Sequence, residues 1–599
     1  MNIKNIFKSK STQIVAATLF LSFSACTNLE EQVHDEVLGG GSITAESALA
    51  AAYDRLGDAT FTDNSGMIAM QEYSSDIALL ATRGSDWGDG GKWREMHEFT
   101  WTSNSLLLND NWGRLTNGIA RSLSAISVVT NSTDANKNIF LAEAQGLYAF
   151  YAFNTIDLFN QTPYRDPLKT PDPLNTNEVA EMKQAPEVID ELITLVESII
   201  PNLASLGDNS THTGRFTKQA AYALLADMYL NRAVCKDRFN ASSSFAFTEA
   251  SLTTGQSDMD RVIYYTSLLI NDSKFQLAKN YFSNFDINNS GAPEHIFAII
   301  QKIDAFRAGD NDLGYVNVER NQRPSPANRG TNAACMTTEF FHSWDGNQDD
   351  PRFSRKYQYS DGTWFMNDGT DVSVPASDVV AGTTQPWFHF NRGIIYGQQY
   401  GPVLDASGKF VMTNGRIAVK SLVIEKNTST PMNFTPDLVF DNPLVSVLTT
   451  NQLNRGARIF KFEFDPAGVS GPDNGVSGVD IPLYRLGGIY TMRAEAYFRK
   501  GDVTSALADI NMLRTTRTRE ALYANAPGKP IASLDKDILY KELGFELYWE
   551  MKRRPQMIRF GKFDLPFTAK AVSLPFRRAY PIPQSAIDVN KQIVQNDGY

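Results

Sequence analysis

The chain has 599 residues, 42% hydrophobic and 21% charged, with a formal net charge of −11. That is a globular composition, long enough to bury a large core. The acidic balance argues against nucleic acid as the main partner, because phosphate backbones are held by clustered Lys and Arg, and it leaves neutral ligands such as sugars open.

At the N-terminus Lys4, Lys8 and Lys10 precede an apolar run, Ile14 to Phe23, and the small residues Ser24 and Ala25 lead into Cys26. A charged start, a short apolar centre and a small-residue cleavage site make a secretory signal over residues 1–25. The run is about half what a membrane-spanning helix needs. Cysteine after the small pair is similar to the lipobox of bacterial lipoproteins, with Phe23 where leucine is usual. Acyl chains on Cys26 would then hold the mature chain, 26–599, at a membrane surface, each buried methylene adding about 0.8 kcal/mol. Glu30 and Glu31 resemble the export signal of surface lipoproteins. No later apolar run is long enough to span a bilayer. Cys235 and Cys335 are the other cysteines, and spacing alone does not decide whether they pair.

Helical periodicity starts at Thr44 to Ala59, with Thr44 placed to cap. Asn111 to Val129 is a second helix. Asn138 to Phe159 is a third, apolar nearly all round and so buried on several sides, with Pro163 and Pro167 ending it. Pro186 opens a helix over Glu187 to Ile200 that Pro201 stops. Phe216 to Ala233 and Met259 to Ile270 follow, separated by a Ser/Thr-rich insertion, Asn240 to Ser257. From Tyr281 to Asp480, Gly, Asn, Asp, Pro and aromatics interrupt every period, and alternation survives only in fragments such as Ile459 to Phe464. This predicts long loops with short strands, and loops on a rigid scaffold are where binding residues tend to sit. Helices resume at Leu483 to Lys500, Val503 to Arg517 and Lys536 to Lys552.

Ala494, Tyr497, Gly501, Asp502, Ala506, Ile510 and Leu513 fall at tetratricopeptide spacing, with small residues for close helix approach and Gly-Asp for the turn. Ala226 and Tyr229 echo the first half of that pattern. The fold expected is mainly α: a tetratricopeptide-like α-α superhelical scaffold from residues 44–60, 111–270 and 481–599. It carries a large irregular ligand face, residues 67–111 and 281–480, with a few short strands.

Five segments together resemble the SusD/RagB family of outer-membrane nutrient-binding lipoproteins. They are LAEAQGLYAFYAFNTIDLFNQTPY (Leu141 to Tyr164), GRFTKQAAYALLADMYLNRA (Gly214 to Ala233), IPLYRLGGIYTMRAEAYFRKGDVTSALADINMLR (Ile481 to Arg514), ELGFELYWEMKRRPQMIRFGKF (Glu542 to Phe563) and YPIPQSAIDVNKQIVQNDGY (Tyr580 to Tyr599). Gly544-Phe545 and Gln556-Met557 depart from the family's usual pairs, both in a structural helix. The resemblance implies a single SusD-like domain over 26–599 that carries out no reaction. Such a protein is lipid-anchored in the outer membrane and captures an oligosaccharide, in some relatives a peptide, for a SusC-like TonB-dependent transporter.

Four of the eight tryptophans, Trp87, Trp93, Trp101 and Trp112, lie close together, the first three on a stretch broken by Gly84, Gly88, Gly90 and Gly91. Indole faces stack on the C–H faces of sugars, and nearby polar groups such as Asp86, Asp89, Arg94 and His97 can read hydroxyls. Trp112 begins a helix and reads as core; Trp87, Trp93 and Trp101 are ligand candidates, with burial as the competing reading. The family's sugar sites use an Asp and an Arg followed by a Trp and an Asn three apart, and Asp76, Arg83, Trp101 and Asn104 are similar to that arrangement. Asp76 could equally cap a helix, and Arg83 pair with Asp86. Trp364 and Trp387, with Tyr396 and Tyr400, could complete a platform or pack under the loops.

No cofactor is implied. Asp345, Asn347 and Asp349 alternate as in a calcium loop, but Asp350 stands where glycine is needed and Lys356 where glutamate is, which excludes an EF-hand and favours a tight turn over a Ca2+ site. Gly90-Gly91-Lys92-Trp93 lacks the first glycine and the hydroxyl of a phosphate loop; H-E-x-x-H and G-x-S-x-G are absent. A glycoside hydrolase acting through a carboxylate pair is the rival function, since such pairs are defined in space. An adaptor that binds only proteins is the third.

Overall fold

The computed structural model describes residues 43–168, 180–208, 211–242, 245, 255–303, 311–468 and 477–599. The signal segment, Cys26, Glu30, Glu31 and most of the Ser/Thr-rich insertion lie outside the described residues. Helix α1 (Ala45–Asp54) begins where Thr44 accepts a hydrogen bond from the Ser47 amide. It leads through α2 (Lys92–Glu98), α3 (Leu106–Thr130), α4 (Lys137–Phe159), α5 (Ala185–Ile199), α6 (Lys218–Lys236) and α7 (Asp258–Ile270). After the irregular half come α8 (Leu486–Arg499), α9 (Val503–Thr516), α10 (Lys536–Leu547) and α11 (Arg553–Phe560).

From α3 to α9 each of these helices packs on its successor, so the chain winds as a stack of antiparallel pairs around one core. This is the tetratricopeptide-like superhelix that the sequence suggests. In α8–α9, Gly501 makes the turn at φ +83°, and Asp502 caps α9 by accepting from the Ser505 amide. Ala494, Ala506, Ile510 and Leu513 are sealed between the two helices. Ala226 and Tyr229 of α6 find their partner in α7, beyond the insertion. A capping box, Ser257 with Asp260, restarts the chain there. Helix α4 is the most enclosed: a Cβ on its Gly146 would stand 2.2 Å from the Phe216 ring, so only glycine lets that ring in.

Several boundaries differ from expectation, each for a local reason. Helix α4 stops at Asn160, which turns left-handed (φ +58°), and Pro163 sits in a strand, Gln161–Tyr164, instead of ending the helix. Residues 481–485 form a strand paired with His295–Ile299, so α8 starts at Leu486. The helix expected to run to Lys552 breaks at Tyr548, with Trp549 and Met551 at positive φ, and α11 follows separately. Helix α11 hides polar residues that masked its period: Arg553, Arg554 and Arg559 are buried and paired with Asp76, Asp157 and Glu495.

The irregular half is better organised than its sequence pattern suggests. Strands 373–375, 400–402, 412–413 and 416–421 form a four-stranded sheet, and a second core gathers Tyr359, Phe365, Trp387, Phe388, Phe390, Phe434 and Phe460. Residues 44–599 nevertheless form one compact unit. A buried ion network joins the two halves. Arg485 donates to Glu294 (3.1 Å), Glu546 (2.7 Å) and Glu550 (2.6 Å), Arg517 to Glu294 and Glu546, and Arg352 to Asp350 and Glu542 (both 2.9 Å). Against the burial penalty, Arg517 and Arg485 hold the Glu294 carboxyl well below the usual range.

Candidate ligand-binding site

The stretch after α1 reaches the surface through a tight hairpin. Thr82–Arg83 pairs in parallel with Val447–Leu448. Arg83 and Asp86 exchange backbone hydrogen bonds of 2.8 and 2.9 Å, and the Gly84 amide donates to Leu448. The next residue, Trp87, is held at φ +58°. For a bulky side chain that conformation costs on the order of 1–3 kcal/mol, and such residues gather at functional sites. Its indole stays half-buried, donates to the Thr331 carbonyl at 3.1 Å and meets Trp93 edge-on at 5.7 Å.

Polar side chains gather on the loops that meet here. Asp86 accepts from Arg320 (3.2 Å) and from Lys426. Arg329 pairs with Glu425 at 3.0 Å. Asn321 ties the 319–332 loop to the Val423 carbonyl at 2.9 Å, and the buried Glu319 accepts from the Asn321 and Glu425 amides. Trp87 thus sits where three sequence-distant loops meet. Local reading missed the arginines of this loop, although ERNQRPSPANRG in an acidic chain was a visible signal.

The other candidates separate into two groups. Trp101 is fully enclosed; its N–H donates to the Tyr599 hydroxyl at 2.7 Å, and Phe99 and Tyr580 cover it at 4.6 and 4.7 Å. Trp93 lies on α2, not on a loop, 4% exposed, its N–H held by Asp89. Trp387 belongs to the second core at 1%. These three offer no free face, which corrects the expectation that they stack on ligand. Asp76 is likewise engaged, bonded to Arg553 at 2.6 Å and to the Tyr540 hydroxyl. Arg83 is interior and donates to the carbonyls of Ala333, Leu453 and Arg455, not to Asp86. Asn104 is exposed, but it shares no hydrogen bond with Trp101, so the resemblance to a paired Trp–Asn sugar site is not reproduced.

Trp364 remains with Trp87. It is half-buried on a hairpin closed by the Gln358–Trp364 bridge, and among the described residues no aromatic ring packs on it. Nearby in sequence, Tyr357 stacks flat on His389 at 3.9 Å, and both bond to Asp378. Tyr396 is 43% exposed and Tyr400 half-buried. The calcium-like stretch forms successive turns, with Asp350 bound to Arg352, Asp349 to Lys529 and Asp345 to His342. Cys235 and Cys335 are separate buried thiols.

The fold has close counterparts among solved structures. A SusD superfamily protein from Parabacteroides distasonis superposes with a TM-score of 0.61 at 17% identity, covering 93% of this chain and 100% of that one. A laminarin-binding SusD-like protein gives 0.60 at 17%, covering 93% and 99%. Surface glycan-binding protein A from Bacteroides thetaiotaomicron, in complex with laminarihexaose, gives 0.56 at 18%, covering 92% and 98%. At these identities the likeness establishes the fold. The starch-binding protein SusD of Bacteroides thetaiotaomicron is 35% identical over 130 residues, 20% of this chain and 22% of that protein. The aligned stretch therefore spans about a fifth of that curated relative. The SusD family itself matches residues 293–599, half of the chain. The chain belongs to the SusD family.

Proposed function

We propose that this protein is a non-catalytic cell-surface receptor that captures a glycan and delivers it to a SusC-like TonB-dependent transporter, anchored in the outer membrane through acylated Cys26. Family membership carries this reading. It is supported by relatives described as binding starch, laminarin and laminarihexaose. The half-buried Trp87, fixed in a left-handed backbone beside hydrogen-bonding side chains, and the unstacked Trp364 are the rings suited to sugar faces.

The test is a glycan array read against the mature protein, followed by calorimetry with its best ligand. Trp87→Ala and Trp364→Ala should each weaken binding by about 1 kcal/mol or more, as for other aromatic anchors, with the melting temperature nearly unchanged. New reducing ends after incubation would replace this reading with a hydrolase. Unchanged affinity in both variants would remove the site. Cys26→Ala should release the protein from the membrane fraction, and its retention would sink the anchor.

A further inference from the structure

The surroundings of Trp87 hold more positive charge than a neutral sugar requires. Arg83 and Arg458 are 1% and 0% exposed, and among the described residues neither makes an ion pair with a carboxylate. Arg458 donates to the Asn332 side chain and to the carbonyls of Leu453, Arg455 and Gly456, with the Phe434 ring 4.3 Å away. Arg83 is held only by carbonyls, and its Nη2 has no hydrogen-bond partner. Burial, and then the charge of Arg83, lower the Arg458 guanidinium well below its usual range.

The imbalance continues outward. Arg455 bonds the Val439 carbonyl, and Arg323, half-buried, bonds only the Pro326 carbonyl. Among the described residues neither makes an ion pair, and burial together with the nearby Arg329 lowers Arg323. Arg320 and Lys426 must share one carboxylate, Asp86, while Arg329 takes Glu425. Of the other acids, Glu319 is buried and already accepts two amides, and Asp89 holds the Trp93 N–H. A chain of net charge −11 has thus concentrated cations beside its partly exposed tryptophan. Buried charges without counter-ions are costly, and an incoming anion would offset part of that cost.

We infer that the captured glycan is anionic, bearing carboxylate or sulfate groups that dock on Arg323, Arg320 and Lys426 while a sugar face rests on Trp87. The inference rests on the receptor reading above and departs from the neutral ligand that overall composition leaves open. Calorimetry with oligogalacturonate, a chondroitin sulfate oligosaccharide and laminarihexaose, at 50 and 500 mM NaCl, separates carboxylate, sulfate and neutral ligands. At least one acidic ligand should bind, weakening about tenfold or more at high salt. Arg323→Gln and, separately, Lys426→Gln should each lower that affinity about tenfold. Lys529→Gln, a distant exposed change of equal charge, should leave it intact, and melting curves confirm folding of each variant. Binding of laminarihexaose alone, insensitive to salt and to both site variants, would overturn the charge assignment and leave the receptor reading standing. Binding to neither these ligands nor any glycan on the array would defeat both.

Discussion

The ion network that joins the two halves and the loops around Trp87 both bury arginine, yet they satisfy it in opposite ways. In the network each of these guanidinium groups meets carboxylates: Arg485, Arg517 and Arg352 share Glu294, Glu542, Glu546 and Glu550. Around Trp87, Arg83 and Arg458 meet carbonyls and a ring instead. Full compensation marks a region built to stay closed. Incomplete compensation, with a strained indole beside it, is what the proposed anionic ligand would complete.

The largest expected effect tests the closed region. Arg517→Met should leave Glu294 and Glu546 short of a cation and cost about 3–5 kcal/mol, read from the urea midpoint. Arg416→Met breaks an exposed pair with Asp361 in the irregular half and should cost under about 1 kcal/mol. Equal losses would erase the contrast. Next, Trp101→Ala should lose about 3–5 kcal/mol, while Trp364→Ala should change thermal unfolding far less and be felt only in glycan affinity. A stability loss at Trp364 as large as at Trp101 would place it in the core. Gly146→Ala forces a methyl against Phe216 and should cost about 1–3 kcal/mol, measured by the same melts.

The smallest effect concerns pH. Burial pushes Glu72 up to about 7 from an ordinary 4.5, and its Oε1 accepts from the Lys552 amide. The folded chain therefore binds this proton more tightly than the unfolded one. Its contribution is fully present below about 4.5 and is lost as pH rises through about 7. Glu72→Gln should flatten the fall in melting temperature between pH 5 and 8 by a few degrees; an identical pH profile would show that Glu72 is not the group responsible.

The helices were legible because their signals are local. Thr44 caps α1, Pro186 opens α5, and the alanines and Gly501 of α8–α9 carry their own spacing. Helix α11 showed only through the family resemblance and not through its own period, since its buried arginines look polar until Asp76, Asp157 and Glu495 arrive from elsewhere. The second core escaped for a related reason: its strands run only 2–6 residues. The short strands around Trp87 also pair over long separations, as Thr82 does with Val447. The tryptophan cluster drew attention to the right segment but could not rank its members. What hides Trp101 is Tyr599, at the far end of the sequence, and what frames Trp87 is the loop around residue 323.

Stacked helix pairs usually permit a pair to be added or removed, because each touches only its neighbours. Here Glu294, in the turn just before the His295–Ile299 strand, is clasped by Arg485 and Arg517 at the two ends of the α8–α9 unit. Cutting out that unit would strand an anion in the dry interior of what remains. The α8–α9 unit is thereby tied into the frame by charge as well as by packing.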